Sequence, residues 1–221
     1  MSKEKDADKV SHDSEIWVTD FTFEAALKFR NAVQLQHYKD PSKPIAIYIN
    51  SYGGYADALA SMIETIEESS NPIITICHGT AMSCGAILLS CGDLRFCGKH
   101  SRVMVHEVSG GAYGDVHDVH NDAEETKRLN EYFLGLMAKN CGFKSYAEFR
   151  KWLKEQDGRD RYMNAEQALK FGIIDAIGIP RVATAIIHEI RLEESKSYKA
   201  SKPLPTMSKK SDSKKRQRGG L

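Results

Sequence analysis

The segment Ile73–Leu89 (IITICHGTAMSCGAILL) combines a buried strand, a turn of small residues and a serine at a predicted helix start. The first N–H groups of a helix lack intrahelical partners and carry the positive end of the dipole, so they stabilise a developing oxyanion. Ala81 and Gly85 leave room for a substrate backbone. Ser83 therefore suits a nucleophile, although serine is also a common helix N-cap.

A nucleophilic serine needs a base, and the chain contains eight histidines. His106 ends the predicted strand SRVMVH, and the carboxyl ends of strands in an α/β sheet face the crevice where such sites form. His78 ends a strand just before the serine turn. Taken singly, each histidine is more readily explained as structural or solvated. His117 and His120 stand among acids, but a solvated helix face explains them, and no metal site is predicted.

The glycine pair Gly53–Gly54 follows a second buried strand, Ile45–Asn50 (IAIYIN). Two glycines allow an open backbone nest and strand-like pairing with an extended ligand. An ordinary strand-to-helix turn explains the pair equally well. No GK[ST] follows, so the turn is not a P-loop, and no cofactor is predicted.

These residues need a scaffold, and the hydrophobic pattern predicts one that alternates strands and helices. Between residues 45 and 105 this alternation favours a parallel sheet with helices packed on it. The other predicted elements are a strand at Glu15–Thr19, helices at Phe23–Tyr38, Asp115–Asn140, Ser145–Gln156 and Asn164–Phe171, and a last strand at Ile173–Ile177.

Composition sets limits on the class of protein. The chain has 221 residues, of which 41% are hydrophobic and 28% charged, as in ordinary globular proteins. The net charge of +1 gives no reason to expect nucleic acid or a membrane surface as a partner. The five cysteines form no CxxC pair, no apolar run is long enough to span a membrane, and the first residues lack a secretory signal. We therefore expect a cytoplasmic protein.

The ends of the chain differ in composition from its body. Residues 1–14 are charged and are predicted to form a flexible arm. Residues 201–221 hold seven of the 31 basic residues and one of the 30 acidic residues. We therefore divide the chain into an arm at 1–14, a folded domain at 15–195 and a basic, disordered tail at 196–221.

Four segments in order resemble the sequence blocks of the ClpP family, the proteolytic subunit of Clp protease. They are IYINSYGG at Ile47–Gly54, GTAMSCGA at Gly79–Ala86, SRVMVHEV at Ser101–Val108 and GRDRYMNAEQALKFGIIDAI at Gly158–Ile177. The similarity extends from about Glu15 to Gly178. It implies a single-domain α/β fold of the ClpP/crotonase-like type, a spiral of βα units with a protruding strand-helix handle at about residues 110–140.

The resemblance also implies a catalytic triad. Ser83 becomes the nucleophile, His106 the general base and Asp160 the acid that orients the imidazole. From the residues alone, Asp160 is no better a candidate than Asp157, and an ion pair with a neighbouring arginine explains it equally well.

The same resemblance assigns backbone groups. The N–H groups of Gly54 and Cys84 become the oxyanion hole. Extended substrates are expected to lie as added strands beside Gly53, Gly54, Gly110 and Gly111. In the family, handles interdigitate so that two heptameric rings stack and enclose a chamber for unfolded chains.

Two departures from the family pattern concern the ATPase unfoldase that usually feeds the chamber. Ala46 and Ser69 stand where aromatic residues of the docking cleft are expected, although Tyr48 is present, and only a short arm precedes the first strand. Tyr52 also replaces the usual proline of SPGG. The short arm and the lost aromatics predict weakened docking of an unfoldase, or a different partner, whereas Tyr52 predicts a looser turn.

The predicted function is thus a serine endopeptidase that cleaves unfolded polypeptides inside a homo-oligomeric ring. Three alternatives stay open: a ClpP-like peptidase dedicated to viral head maturation, a non-catalytic ring scaffold, and a crotonase-type acyl-CoA enzyme on the same fold.

Overall fold

Seven strands form one sheet in the computed structural model, which describes residues 15–155 and 160–180. The strands are β1 (Glu15–Val18), β2 (Ile45–Ser51), β3 (Ile73–Met82), β4 (Leu94–Cys97), β5 (Arg102–His106), β6 (Asp160–Asn164) and β7 (Ala176–Ile177). The order β1-β2-β3-β4-β7 is parallel throughout. β5 leaves this path, pairing parallel to β3 and antiparallel to β6.

Six helices accompany the sheet in the same part of the chain. They are α1 (Phe23–Lys39), α2 (Ala56–Glu67), α3 (Cys84–Ser90), α4 (Val116–Asn140), α5 (Tyr146–Lys154) and α6 (Ala165–Lys170). The expected alternation of strands and helices along a mostly parallel sheet is confirmed, and the architecture is a single mixed α/β domain of the ClpP-like kind. Ser145 caps α5, as predicted, by accepting a hydrogen bond from the backbone N–H of Glu148.

The core lies between the sheet and its helices. β2 is buried along almost its whole length, as expected for a strand covered on both faces. Its Ile47 and Ile49 are fully buried, as are Leu59 and Ile63 of α2 and Leu88 of α3. A rigid packed core of this kind holds the carboxyl ends of β3 and β5 in place.

β3 is longer than the sequence predicts. The prediction ended this strand at His78 and treated Gly79–Ala86 as a turn, but the strand runs on to Met82. Its first half pairs with β4, and Thr80–Met82 pair with β5. Gly79 adopts φ +110°, and a Cβ there would lie 2.6 Å from the Asn50 Oδ1 atom. The small residues therefore allow close packing inside a strand. In the sequence alone, the same small residues are typical of a turn.

The segment Asp160–Asn164 forms a strand that the sequence analysis did not predict. Its alternating burial, with Arg161 and Met163 inside, follows from pairing with β5. The predicted last strand is shorter than expected, because Ile173 and Ile174 are buried outside any strand and only Ala176–Ile177 pair with β4.

The first half of α4 projects from the body. Residues 116–125 are exposed, and the helix becomes buried only from Asn130 onward. Residues 107–115, which join β5 to α4, form neither helix nor strand, so the strand part of the expected handle is not formed within this single chain. The predicted arm at 1–14 and tail at 196–221 lie outside the described residues.

Candidate active site

Ser83 and His106 meet at the carboxyl ends of two paired strands. The Nε2 atom of His106 lies 2.8 Å from the Oγ atom of Ser83. The two strands are locked in register up to Met82 and Met104, and the backbone N–H of Ser83 donates to the Met104 carbonyl at 2.9 Å. The distance is within the reach that general-base catalysis requires.

The backbone of Ser83 is unusual. Its φ of +55° is the only positive value at a non-glycine residue in the described part of the chain. Strained dihedrals of this kind cluster at functional sites, and a serine on a sharp strand-to-helix turn presents its hydroxyl outward. Ser83 occupies the N-cap position of α3, yet its side chain makes no capping hydrogen bond. The hydroxyl is directed to the histidine instead.

The glycine turn lies against the serine. Gly53 adopts φ +109°, and a Cβ there would lie 2.7 Å from the Ser83 Cβ atom. Gly54 adopts φ +157°, and a Cβ there would lie 2.6 Å from the Phe21 carbonyl oxygen. Only glycine fits both positions, so the turn can approach the serine closely.

Cys84 links the helix start to this turn. It is the first residue of α3, so its backbone N–H has no partner within the helix. Its thiol donates to the Gly54 carbonyl at a sulfur–oxygen distance of 3.3 Å. Burial raises the pKa of Cys84, which keeps the thiol protonated and able to donate. A side-chain hydrogen bond therefore joins Gly54 and Cys84, the two residues predicted to form the oxyanion hole.

Asp160 stands directly opposite His106 in the antiparallel β5–β6 pair. Residues opposite each other in such a pair project on the same face, with Cβ atoms about 4.5–5.5 Å apart. Asp160 is exposed, and within residues 15–155 and 160–180 its carboxylate makes no hydrogen bond to His106. The structure thus brings serine and histidine into contact and places the aspartate opposite the histidine without a hydrogen bond between the two side chains. The competing Asp157 lies outside the described residues.

The other predicted residues lie elsewhere. His78 packs edge-on against the rings of Trp17 and Tyr48, with ring centroids 5.3 and 6.3 Å away. Gly110 and Gly111 lie in the exposed connection before α4, away from regular strands. No cluster of three metal-ligating side chains occurs in the part of the chain that the structure describes.

The sequence analysis missed Asn130, which holds the chain just after the histidine. Its Oδ1 accepts from the backbone N–H of Val108 at 2.8 Å, and its Nδ2 donates to the Tyr146 hydroxyl at 3.0 Å. A usable signal was present, because Asn130 is the polar member of the otherwise apolar buried face of α4. A buried amide on such a face indicates a specific hydrogen-bond partner.

A family model described as Clp protease matches residues 17–181. The chain belongs to the Clp protease family. The matched segment contains Ser83, His106 and Asp160, together with the glycine turn. Membership confirms the family that the four sequence blocks predicted, and it indicates a peptidase of a family that usually forms oligomeric rings. None of the helices in the described ranges combines the length and hydropathy needed to cross a bilayer.

Proposed function

We propose that this Clp protease family member is a serine endopeptidase in which Ser83 attacks the scissile carbonyl. The contact between the Ser83 hydroxyl and the His106 imidazole, 2.8 Å from oxygen to nitrogen, carries the proposal. His106 accepts the hydroxyl proton as the Oγ–C bond forms. The imidazolium then returns that proton to the leaving amine, and water hydrolyses the acyl-enzyme by the same route in reverse.

The oxyanion of the tetrahedral intermediate is assigned to the backbone N–H groups of Gly54 and Cys84. Both residues lie beside the nucleophile: Gly53 brings the turn against Ser83, and Cys84 follows it. Donors fixed in advance by a helix start and a glycine turn need little reorganisation when charge develops.

Asp160 is assigned the role of orienting His106. Its place opposite the histidine in the β5–β6 pair supports this role, because residues that face each other in an antiparallel pair project from the same side of the sheet. The proposed acid would fix the tautomer of His106 and stabilise the imidazolium.

Substrate chains are proposed to bind in extended form beside Gly53 and Gly54, and beside the connection that contains Gly110 and Gly111. Residues 109–113 of that connection are exposed and lie outside any strand, so backbone there is available to pair with a peptide or another subunit. The exposed first half of α4 supports assembly through handles into stacked heptameric rings in the cytoplasm.

The proposed docking of an unfoldase is weakened rather than abolished. Ala46 is buried in β2 and adds no exposed ring. Tyr48, however, stacks on Trp17 at a centroid distance of 5.0 Å and keeps an aromatic surface at that end of the sheet.

Covalent labelling by a fluorophosphonate probe tests the proposal directly. We expect one adduct per subunit by intact mass, and no adduct for Ser83→Ala or His106→Ala. An unlabelled, folded oligomer would instead favour the non-catalytic scaffold. Binding of acyl-CoA would favour the crotonase-type alternative.

A further inference from the structure

Side-chain contacts with α5 hold both of the strands that carry His106 and Asp160. On the histidine side, Arg150 Nε donates to the Glu107 Oε1 atom at 2.6 Å, and Lys154 Nζ lies 3.5 Å from the same oxygen. On the aspartate side, Arg161 Nη1 donates to the backbone carbonyl of Trp152.

The environment of Arg161 is costly for a cation. The residue is buried and, among the described residues, forms no salt bridge, although the charge of nearby Glu155 favours the cation. Its Nε atom and the Nε1 atom of Trp152 are buried without hydrogen-bond partners there. Burial lowers the pKa of the guanidinium. An apolar side chain would fill this position at a smaller cost in folding free energy, so packing alone does not explain an arginine here.

The guanidinium is nevertheless held in one orientation. Its central carbon lies 4.0 Å from the centroid of the Trp152 ring and 4.9 Å from that of Phe171. Stacking on aromatic faces and a directed hydrogen bond together hold a planar cation in one orientation. A flexible apolar side chain at the same position would be held less firmly. The arginine therefore fixes the start of β6 relative to the end of α5.

The two contacts with α5 come from equivalent positions, each one residue after a member of the proposed catalytic pair. Glu107 follows His106 in the chain, and Arg161 follows Asp160. Both reach residues 150–154, which lie within about one turn of α5. Since one short helix moves as a unit, it sets the separation of the two strand ends at the last residue pair of the ladder.

We propose that Glu107 and Arg161 are positioning residues that hold His106 and Asp160 at a fixed separation through α5. The inference rests on the proposed serine peptidase function. Neither residue touches the reacting atoms in this arrangement. Each acts through the neighbour whose strand it anchors, and displacement of a catalytic group by about 1 Å is enough to slow a reaction roughly 100-fold.

The test uses Arg161→Met and Glu107→Gln in the full chain. Each is expected to lower kcat for a fluorogenic peptide, and the rate of fluorophosphonate labelling, by roughly 10- to 100-fold with KM unchanged. A purely structural role would lower the melting temperature instead. We expect Arg161→Met to change that temperature little, because loss of the hydrogen bond and ring stacking is offset by relief of a buried cation.

A charge exchange tests the histidine side. The double variant Glu107→Arg with Arg150→Glu should recover most of the activity that Glu107→Arg alone loses. The matched control is Lys151→Gln, because Lys151 is an exposed cation on the same helix that forms no ion pair within the described residues. Its rates should equal those of the wild type.

Amide hydrogen exchange of the β5 and β6 peptides distinguishes a failure of the proposed peptidase function from a failure of the positioning proposal. Faster exchange in Arg161→Met and Glu107→Gln, but not in Lys151→Gln, is expected whether or not Ser83 is labelled. An unlabelled wild type with this exchange pattern would overturn the proposed function and leave the anchoring intact. A labelled wild type whose variants match it in rate and exchange would overturn the positioning role.

Discussion

His106 and Asp160 face each other as the final residue pair of the β5–β6 ladder, while His106 Nε2 lies 2.8 Å from Ser83 Oγ. His106 therefore contacts Ser83 and faces, across the strand pair, a residue that carries a carboxylate. The proposed Ser–His–Asp triad requires a second hydrogen bond, between His106 and Asp160, in addition to the one observed between Ser83 and His106.

Asp160→Asn should lower kcat by about 10³–10⁴-fold and leave the oligomer intact, because an amide holds the histidine in the wrong tautomer. Steady-state hydrolysis of a fluorogenic peptide and size-exclusion chromatography measure the two quantities. Tyr162→Phe is the control, since Tyr162 is exposed on the same strand. A variant with near-normal kcat would exclude Asp160 as the acid.

Gly53→Ala should abolish labelling of Ser83. The added Cβ would lie 2.7 Å from the Ser83 Cβ atom, at a φ of +109° that alanine rarely adopts. The turn must then move away from the serine, and Gly54 moves with it. Gly135→Ala is the matched control, because a Cβ there meets nothing within 4 Å in the middle of α4. It should raise stability by about 0.5–1 kcal/mol. Equal labelling of both variants would show that the turn is not part of the site.

Asp175→Asn should lower the free energy of unfolding by about 1–3 kcal/mol at pH 7. Asp175 accepts from Arg95 Nη2 at 2.6 Å and from Nε at 3.0 Å, and Arg95 also donates to the carbonyls of Asn140 and Gly172. The pair thus joins β4 to the ends of α4 and α6. Urea unfolding monitored by circular dichroism measures the difference.

The contribution of Asp175 should also depend on pH. Arg95 lowers the pKa of Asp175 below its ordinary value of 3.8, so the folded state binds that proton less readily than the unfolded chain. The stabilisation is therefore complete above the ordinary pKa and is lost as pH falls through the lower folded-state value. The difference in stability between wild type and Asp175→Asn should therefore shrink as pH falls below 3.8. A constant difference from pH 7 to pH 2.5 would contradict the linkage.

Cys91 and Cys141 should resist alkylation in the folded protein. Burial raises the pKa of each thiol to about 12, so at pH 8 roughly one thiol in ten thousand is the reactive thiolate. Peptide mapping after brief iodoacetamide treatment should find both unmodified, and both should react in guanidinium chloride. Rapid alkylation of Cys141 in the native state would show that the end of α4 opens readily.

Much of this site was predictable because its signals are local. A serine at the junction of an apolar strand and an apolar helix, a histidine at a strand end and a glycine pair after a buried strand are patterns within about ten residues of chain. Each reflects a short-range requirement, such as backbone space, a helix start or the end of a strand. Together with four sequence blocks in order, they determined the family and the alternation of strands and helices.

Tertiary structure alone decided how these segments meet. β3 continues to Met82 and β6 forms at Asp160 because β5 supplies hydrogen-bond partners on both sides, and strand pairing across 22–62 residues leaves no local pattern. The contact between Ser83 and His106 likewise depends on the register of β3 against β5. The anchoring of Glu107 and Arg161 to α5 depends on packing among three elements distant in sequence. The sequence by itself determined the chemical groups and their local geometry. Long-range strand pairing and packing determined the distances between those groups, because the pairing and packing energies depend on neighbours that no local pattern specifies.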